Sequence, residues 1–251
     1  MRHAAPRQER KMKRRQALLT LGAAAAVPVA GAIAKEMRGY PHDMSLDKAF
    51  MPSPVHQGTS WKVLTDAEER RTLGAVFDRL IPADELGPSA TQAGALVFLD
   101  GQLAGPYGEG AMLYRKGPKS PGEDQLMQKP QFIATPRERY ATGIKALDTY
   151  ASRAHGKRFA DLPPELQDQT LAGMEDGSIQ LGRDVNTKAF FELMLMNARE
   201  SYFADPMYGG NQDMVGWKLI GFPGARYDYR LYADRTGQAL GLQPVSLIPK
   251  D

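Results

Sequence analysis

Between residues 65 and 203 the apolar positions recur at helical rather than strand spacing. Leu73, Val76, Phe77, Leu80 and Ile81 follow i, i+3, i+4, i+7, i+8 and so share one helix face. Thr65 or Asp66 is placed to cap that helix, Thr65 and Glu68 have capping-box spacing, and Pro82 stops it. Residues 91–104 predict a second helix, with Leu96, Val97, Leu99 and Leu103 apolar and Gly105-Pro106 as its stop. Thr135-Pro136-Arg137-Glu138 combines a cap, a proline at the first helical position and a glutamate at the third. Tyr140, Ile144, Leu147, Tyr150 and Ala151 continue it as one stripe. Leu162-Pro163-Pro164-Glu165 opens a fourth helix that points Leu166, Leu171 and Met174 inward. The last predicted helix, Thr187–Phe203, carries Phe190, Phe191, Leu193, Met194, Leu195 and Met196. It is apolar on all sides, the pattern of a central buried helix.

The rest of the chain has no comparable period. No segment alternates like a half-buried strand; residues 243–248 are the one weak strand candidate. Residues 105–134, dense in Gly and Pro, predict a long loop, and loops of that length are usually functional or ordered by a partner. Residues 35–62, with Pro41, Pro52, Pro54 and scattered Met44, Leu46, Phe50, Met51 and Trp61, predict an extended arm. The expected fold is therefore mainly α: a single irregular helical bundle with long loops and extended N- and C-terminal arms. Its helical core spans 63–230 and a tail follows over 231–251.

Charge changes the picture of the first 34 residues. The chain has 251 residues and a formal net charge of +3, which invites a nucleic-acid hypothesis. Residues 1–34 hold Arg2, Arg7, Arg10, Lys11, Lys13, Arg14 and Arg15 against Glu9 alone, leaving 25 basic and 28 acidic residues for the remainder. The basic character belongs to the leader, and phosphate-backbone binding loses its electrostatic motive. Arg14-Arg15 stands directly before residues 17–34, which carry no charge, include Gly22, Pro28 and Gly31, and end in the small-residue tripeptide Ala32-Ile33-Ala34. Twin arginines, a modest apolar region and a cleavage-like end resemble a Tat export signal over 1–34, cut after Ala34. The alternatives are a retained membrane anchor and a cytosolic basic tail.

Composition then excludes chemistry. With no cysteine there are no disulfides, thiolate zinc sites, iron–sulfur ligands or cysteine nucleophiles on this chain. A cysteine-free chain also suits export after folding in a reducing compartment. His3, His42, His56 and His155 are scattered, with no pair at metal-ligand spacing. No GxGxxG, P-loop, GxSxG or HExxH motif occurs. His155, in Ala154-His155-Gly156, reads as a solvent-facing helix end, and Glu175-Asp176 before Gly177 as a solvated turn. Asp205 and Asp213 flank Gly209-Gly210-Asn211 as capping and turn residues. No catalytic, cofactor-binding or metal-ligating residue is assigned.

The most specific text lies near the C-terminus. Tyr202-Phe203-Ala204-Asp205-Pro206-Met207-Tyr208-Gly209-Gly210-Asn211, followed by Gly216-Trp217-Lys218-Leu219-Ile220-Gly221-Phe222-Pro223-Gly224, resembles the signature of the gluconate 2-dehydrogenase subunit 3 family. Leu80-Ile81-Pro82-Ala83-Asp84, Gly87-Pro88-Ser89-Ala90 and Gln102-Leu103-Ala104-Gly105-Pro106-Tyr107-Gly108 match the same pattern, and the resemblance covers roughly residues 60–230.

The resemblance implies a non-catalytic small subunit with no cofactor of its own. FAD would sit on a partner, a large dehydrogenase subunit of the glucose–methanol–choline (GMC) type, and haem c on a partner multihaem cytochrome c subunit. The small subunit would stabilise the flavoprotein and carry it through the Tat translocase. The complex would lie in the periplasm, associated with the outer face of the cytoplasmic membrane through partner subunits. The loop at 105–134 and the tail after Arg230 are individual to this chain, so a related glucose, fructose, sorbitol or 2-ketogluconate dehydrogenase complex stays an alternative. A stand-alone periplasmic sugar-acid-binding protein is another. Aromatic residues are enriched at interfaces, so Trp61, Tyr107, Tyr114, Tyr208, Trp217 and Phe222, with the Gly209-Gly210-Asn211 turn, are the expected partner contacts.

Overall fold

The computed structural model describes residues 60–113, 134–226 and 229–247. Six α-helices follow one another among them: α1 Ala67–Leu80, α2 Ala95–Ala104, α3 Pro136–His155, α4 Pro164–Asp176, α5 Thr187–Phe203 and α6 Val215–Ile220. Single 3-10 turns lie at Phe159–Asp161, Pro206–Tyr208, Gln212–Met214 and Arg230–Tyr232. The described residues contain no strand, in keeping with the mainly α class. The strand candidate at 243–248 yields one parallel bridge between Val245 and Gly224, with two backbone hydrogen bonds, Ala225 N–H to the Val245 carbonyl at 2.7 Å and Val245 N–H to the Pro223 carbonyl at 3.3 Å. Arg14, Arg15, Ala32, Ala34, Tyr114, Ile248, the arm up to residue 59 and residues 114–133 of the expected loop lie outside the described residues.

Local signals placed most helix ends. α3 begins as its sequence demands: Thr135 Oγ accepts the Glu138 N–H at 3.2 Å, and Glu138 accepts the Thr135 N–H at 2.8 Å. Gly156, left-handed at φ 74°, ends it just after an exposed His155. Two starts differ from expectation. The cap of α1 is Asp66, whose carboxylate accepts from Glu68 N at 2.7 Å and Glu69 N at 3.4 Å. The Thr65–Glu68 box does not form, and Glu68 pairs instead with Arg71 and Arg158. α2 starts four residues later than the apolar pattern suggested. Asp78 on α1 claims the Thr91 N–H at 2.9 Å and the Thr91 hydroxyl at 2.7 Å, which holds the preceding residues in turns. α6 is an addition, since the sequence predicted only a turn there.

α5 is the central helix and packs against each of the other five. Phe190, Met194 and Ala198 are fully buried among Leu73, Val76 and Phe77 of α1, Leu99 and Leu103 of α2, and Tyr140, Ile144 and Leu147 of α3. Each large apolar side chain so buried contributes roughly 1.5–3 kcal/mol. The Phe190 ring meets Tyr140 edge-on at 5.8 Å and lies over Gly143, where a Cβ would collide with it. α5 is not buried all round, however: Met196 faces outward.

Carboxylates tie the layers together. Asp100 of α2 is fully buried and accepts three backbone N–H groups, from Lys62 at 2.9 Å, Val63 at 2.9 Å and Leu64 at 2.8 Å. The segment entering α1 is thereby fastened to α2. Arg70 reinforces this entry, donating to the Leu64 carbonyl at 2.6 Å while its guanidinium lies 4.9 Å over the Trp61 ring. Asp148 of α3 accepts from Thr72 Oγ of α1 at 3.0 Å and from Phe159 N at 3.1 Å.

Candidate functional site

The last turn of a helix leaves carbonyls without intrahelical partners, and at the end of α5 the following loop supplies them. Trp217 Nε1 donates to the Phe203 carbonyl at 2.6 Å, and Asn211 Nδ2 donates to the Ala204 carbonyl at 2.8 Å. Asn211 Oδ1 accepts the Gly216 N–H at 2.8 Å, closing the loop on itself. The backbone lies against the helix at Gly210 and Gly216, where a Cβ would strike the carbonyls of Ser201 and Tyr202. The Gly-Gly-Asn and Gly-Trp signatures therefore have a shared physical origin: a loop folded flat onto a helix end. It is held in a strained shape, with Asn211, Asp213 and Met214 all left-handed at φ 45°, 55° and 57°. Asp205 fixes its base, accepting from Met207 N at 3.0 Å, Ser246 Oγ at 2.7 Å and Leu247 N at 2.8 Å.

Beside this loop runs a groove of about 550 Å³ between α2 and α5. Phe98 and Gln102 come from α2, Glu200, Phe203 and Ala204 from the end of α5, and Tyr107 and Tyr208 from the two flanking loops. Phe203 and Tyr208 are 38% and 37% exposed, large apolar surfaces without cover among the described residues. Leu219, Ile220 and Phe222 are exposed as well, on α6 and just beyond it, Phe222 resting edge-on against Trp217 at 5.2 Å. Exposed apolar side chains in this number make the end of the domain a candidate interaction surface.

The polar side of the groove is set by Asn197, which is fully buried. Its Oδ1 accepts the hydroxyls of Tyr107 at 3.1 Å and Tyr140 at 2.9 Å, and its Nδ2 donates to Glu200 at 2.9 Å. The carboxylate can only accept, so it fixes which end of the amide faces it. Burial raises the pKa of both tyrosines, Tyr140 well above the usual phenolic value, so each hydroxyl keeps its proton at neutral pH.

The expected contacts separate accordingly. Tyr107 and Tyr208 share the groove, Phe222 is exposed beyond it, and Gly209 is half-buried in the loop. Gly210, Asn211 and Trp217 are buried within this chain and hold the loop on α5 instead of presenting side chains outward. Trp61 does not line the groove and stacks beneath Arg70. Sequence reasoning missed Phe98, Gln102, Asn197, Glu200 and Phe203. The available signal was a polar set, Asn197, Glu200 and Ser201, at i, i+3 and i+4, following the apolar stretch that ends at Met196.

Among the described residues no group of three or more His, Asp or Glu stands close enough to hold a metal ion. A dinucleotide pyrophosphate is typically held at a strand–turn–helix, and the described residues, lacking strands, do not build one. A second, more charged groove lies between the start of α1 and α3, lined by Asp66, Glu69, Lys145, Asp148 and Arg153 among others. No helix among the described residues is long and apolar enough to cross a membrane.

Comparison with curated proteins and with solved structures gives no match. The family model for gluconate 2-dehydrogenase subunit 3 matches residues 67–224, from the first residue of α1 through the strained loop to the glycine that bridges Val245. The matched region spans more than half of the chain and contains every helix described above, and the protein belongs to the gluconate 2-dehydrogenase subunit 3 family.

Proposed function

We propose that this chain is the non-catalytic small subunit of a periplasmic FAD-dependent gluconate 2-dehydrogenase complex, and that it stabilises the flavoprotein large subunit and escorts it through the Tat pathway. The observation that carries this reading is the family match over a helical domain whose exposed apolar groove is built on the family's own glycine-rich loop. The Arg14-Arg15 leader on a chain without a cofactor motif supports the escort role, since export of a folded chain is best explained by a cofactor-bearing passenger. In this reading FAD resides on the GMC-type partner. Electrons pass to a multihaem cytochrome c subunit, which keeps the assembly at the outer face of the cytoplasmic membrane.

The test follows the passenger. Arg14→Lys and Arg15→Lys are introduced together, and the flavoprotein is assayed in periplasmic and cytoplasmic fractions. The expected result is a large subunit retained in the cytoplasm, with periplasmic dehydrogenase activity lost. Undiminished export of the large subunit would overturn the escort role.

A further inference from the structure

The groove between α2 and α5 is not uniformly apolar, and its polar atoms are biased. Among its lining residues Glu200 is the one charged group. Its single side-chain hydrogen bond is the donation from Asn197, and it belongs to no ion pair among the described residues. The Tyr107 hydroxyl, also on the wall, spends its proton on Asn197 and offers its lone pairs. The charged corner of the groove therefore presents acceptors to an incoming group, flanked by the rings of Phe98, Phe203 and Tyr208. A ligand that covers those rings also strips water from Glu200, and the carboxylate then requires a cation. An anionic sugar acid is the wrong occupant, because its carboxylate would face Glu200 with no positive side chain lining the groove.

We infer that this groove receives a lysine- or arginine-bearing, otherwise apolar segment of the dehydrogenase large subunit, the cation pairing with Glu200 while apolar neighbours cover Phe203 and Tyr208. This rests on the proposed role as the small subunit of that complex. The charge complementarity is specific to position. Asn197, locked by two tyrosine hydroxyls, holds the Glu200 carboxylate in one place before the partner arrives. The corner is thus preorganised, and binding incurs little further ordering cost there. Asp205, accepting the Met207 N–H, fixes the turn that carries Tyr208 to the same groove.

The experiment uses the full chain co-expressed with the GMC-type flavoprotein of the proposed complex. Glu200→Gln and Glu200→Arg are compared with wild type for subunit affinity at low and high salt, with thermal melts as a folding control. Removing one member of a desolvated interfacial charge pair is expected to weaken association about thirtyfold or more, with charge reversal worse than neutralisation. A photo-crosslinking residue at Tyr208 should attach to a large-subunit peptide containing Lys or Arg. Unchanged affinity in Glu200→Arg overturns the inference. So does a crosslink to a second copy of this chain, to the cytochrome subunit, to a peptide without a basic residue, or to nothing while the wild-type pair still co-purifies. If the wild-type chain forms no complex with the flavoprotein, the small-subunit reading itself falls and this inference with it.

Discussion

Replacing Asp100 tests whether the fastening of residues 62–64 to α2 holds the bundle together. In Asp100→Ala the N–H groups of Lys62, Val63 and Leu64 lose their acceptor at once. Leu64 is buried, whereas the Lys62 and Val63 bonds are partly open to water. An orphaned buried donor costs roughly 1–3 kcal/mol, so the full cost here is about 3–5 kcal/mol once partial solvation of two donors is allowed for. For a domain of this size that is a fall in melting temperature of roughly 6–20 °C. Asp100→Asn separates hydrogen bonding from side-chain volume. Its oxygen can keep Val63 and Leu64, but its amide nitrogen would confront the Lys62 N–H, so it should fall between wild type and alanine. Circular-dichroism melts of the three proteins, with hydrogen exchange at residues 62–64, make the comparison. Equal melting temperatures for wild type and Asp100→Ala would refute the reasoning, since three unsatisfied N–H groups cannot be thermally silent.

Gly216→Ala should lower stability by roughly 1–3 kcal/mol and weaken partner association, because the new methyl meets the Tyr202 carbonyl and lifts α6 away from α5; calorimetry and co-purification of the variant test both effects. Acid should destabilise the domain in a defined window. Asp168, bonded to Arg79, and Asp66 and Asp176, accepting backbone N–H groups, all have pKa values lowered below 3.8. Their stabilisation is complete above that ordinary value and is lost as pH falls through the depressed ones, so melting temperature should drop below about pH 4. A melting temperature that holds or rises on acidification from pH 4 to pH 2 would contradict this.

The sequence made the helices legible where periodicity and capping agreed. α3 and α5 occupy the expected residues because Thr135, Pro136 and Glu138, or an apolar run broken only by Glu192, leave no competing arrangement. α2 was misplaced at its start because apolar spacing cannot register Asp78, whose hold on Thr91 depends on a helix thirteen residues upstream. The same blindness hid Asp100 and Asn197. Each is a polar residue inside a helix, ordinary in sequence, with partners 36 to 90 residues away that no local pattern shows. At the glycine-rich segment local text announced a turn, but not that Trp217 and Asn211 would spend their donors on the end of α5. The aromatic pattern could not show direction: Tyr208 is exposed in the groove, whereas Trp217 is buried against α5.

The Asp100 clamp has a mechanical consequence. Any pull applied from the N-terminal side of residue 60 reaches the described domain first at residues 62–64. There three N–H groups converge on a single carboxylate, so the segment is held to α2 at one point. Arg70, gripping the Leu64 carbonyl and stacking on Trp61, adds a second anchor at the same place. Tension arriving there passes through Asp100 into α2, the helix that also supplies Phe98 and Gln102 to the groove. Load at the N-terminal edge of the described domain is thus felt in a wall of the groove, and whatever pulls on the one bears on the shape of the other.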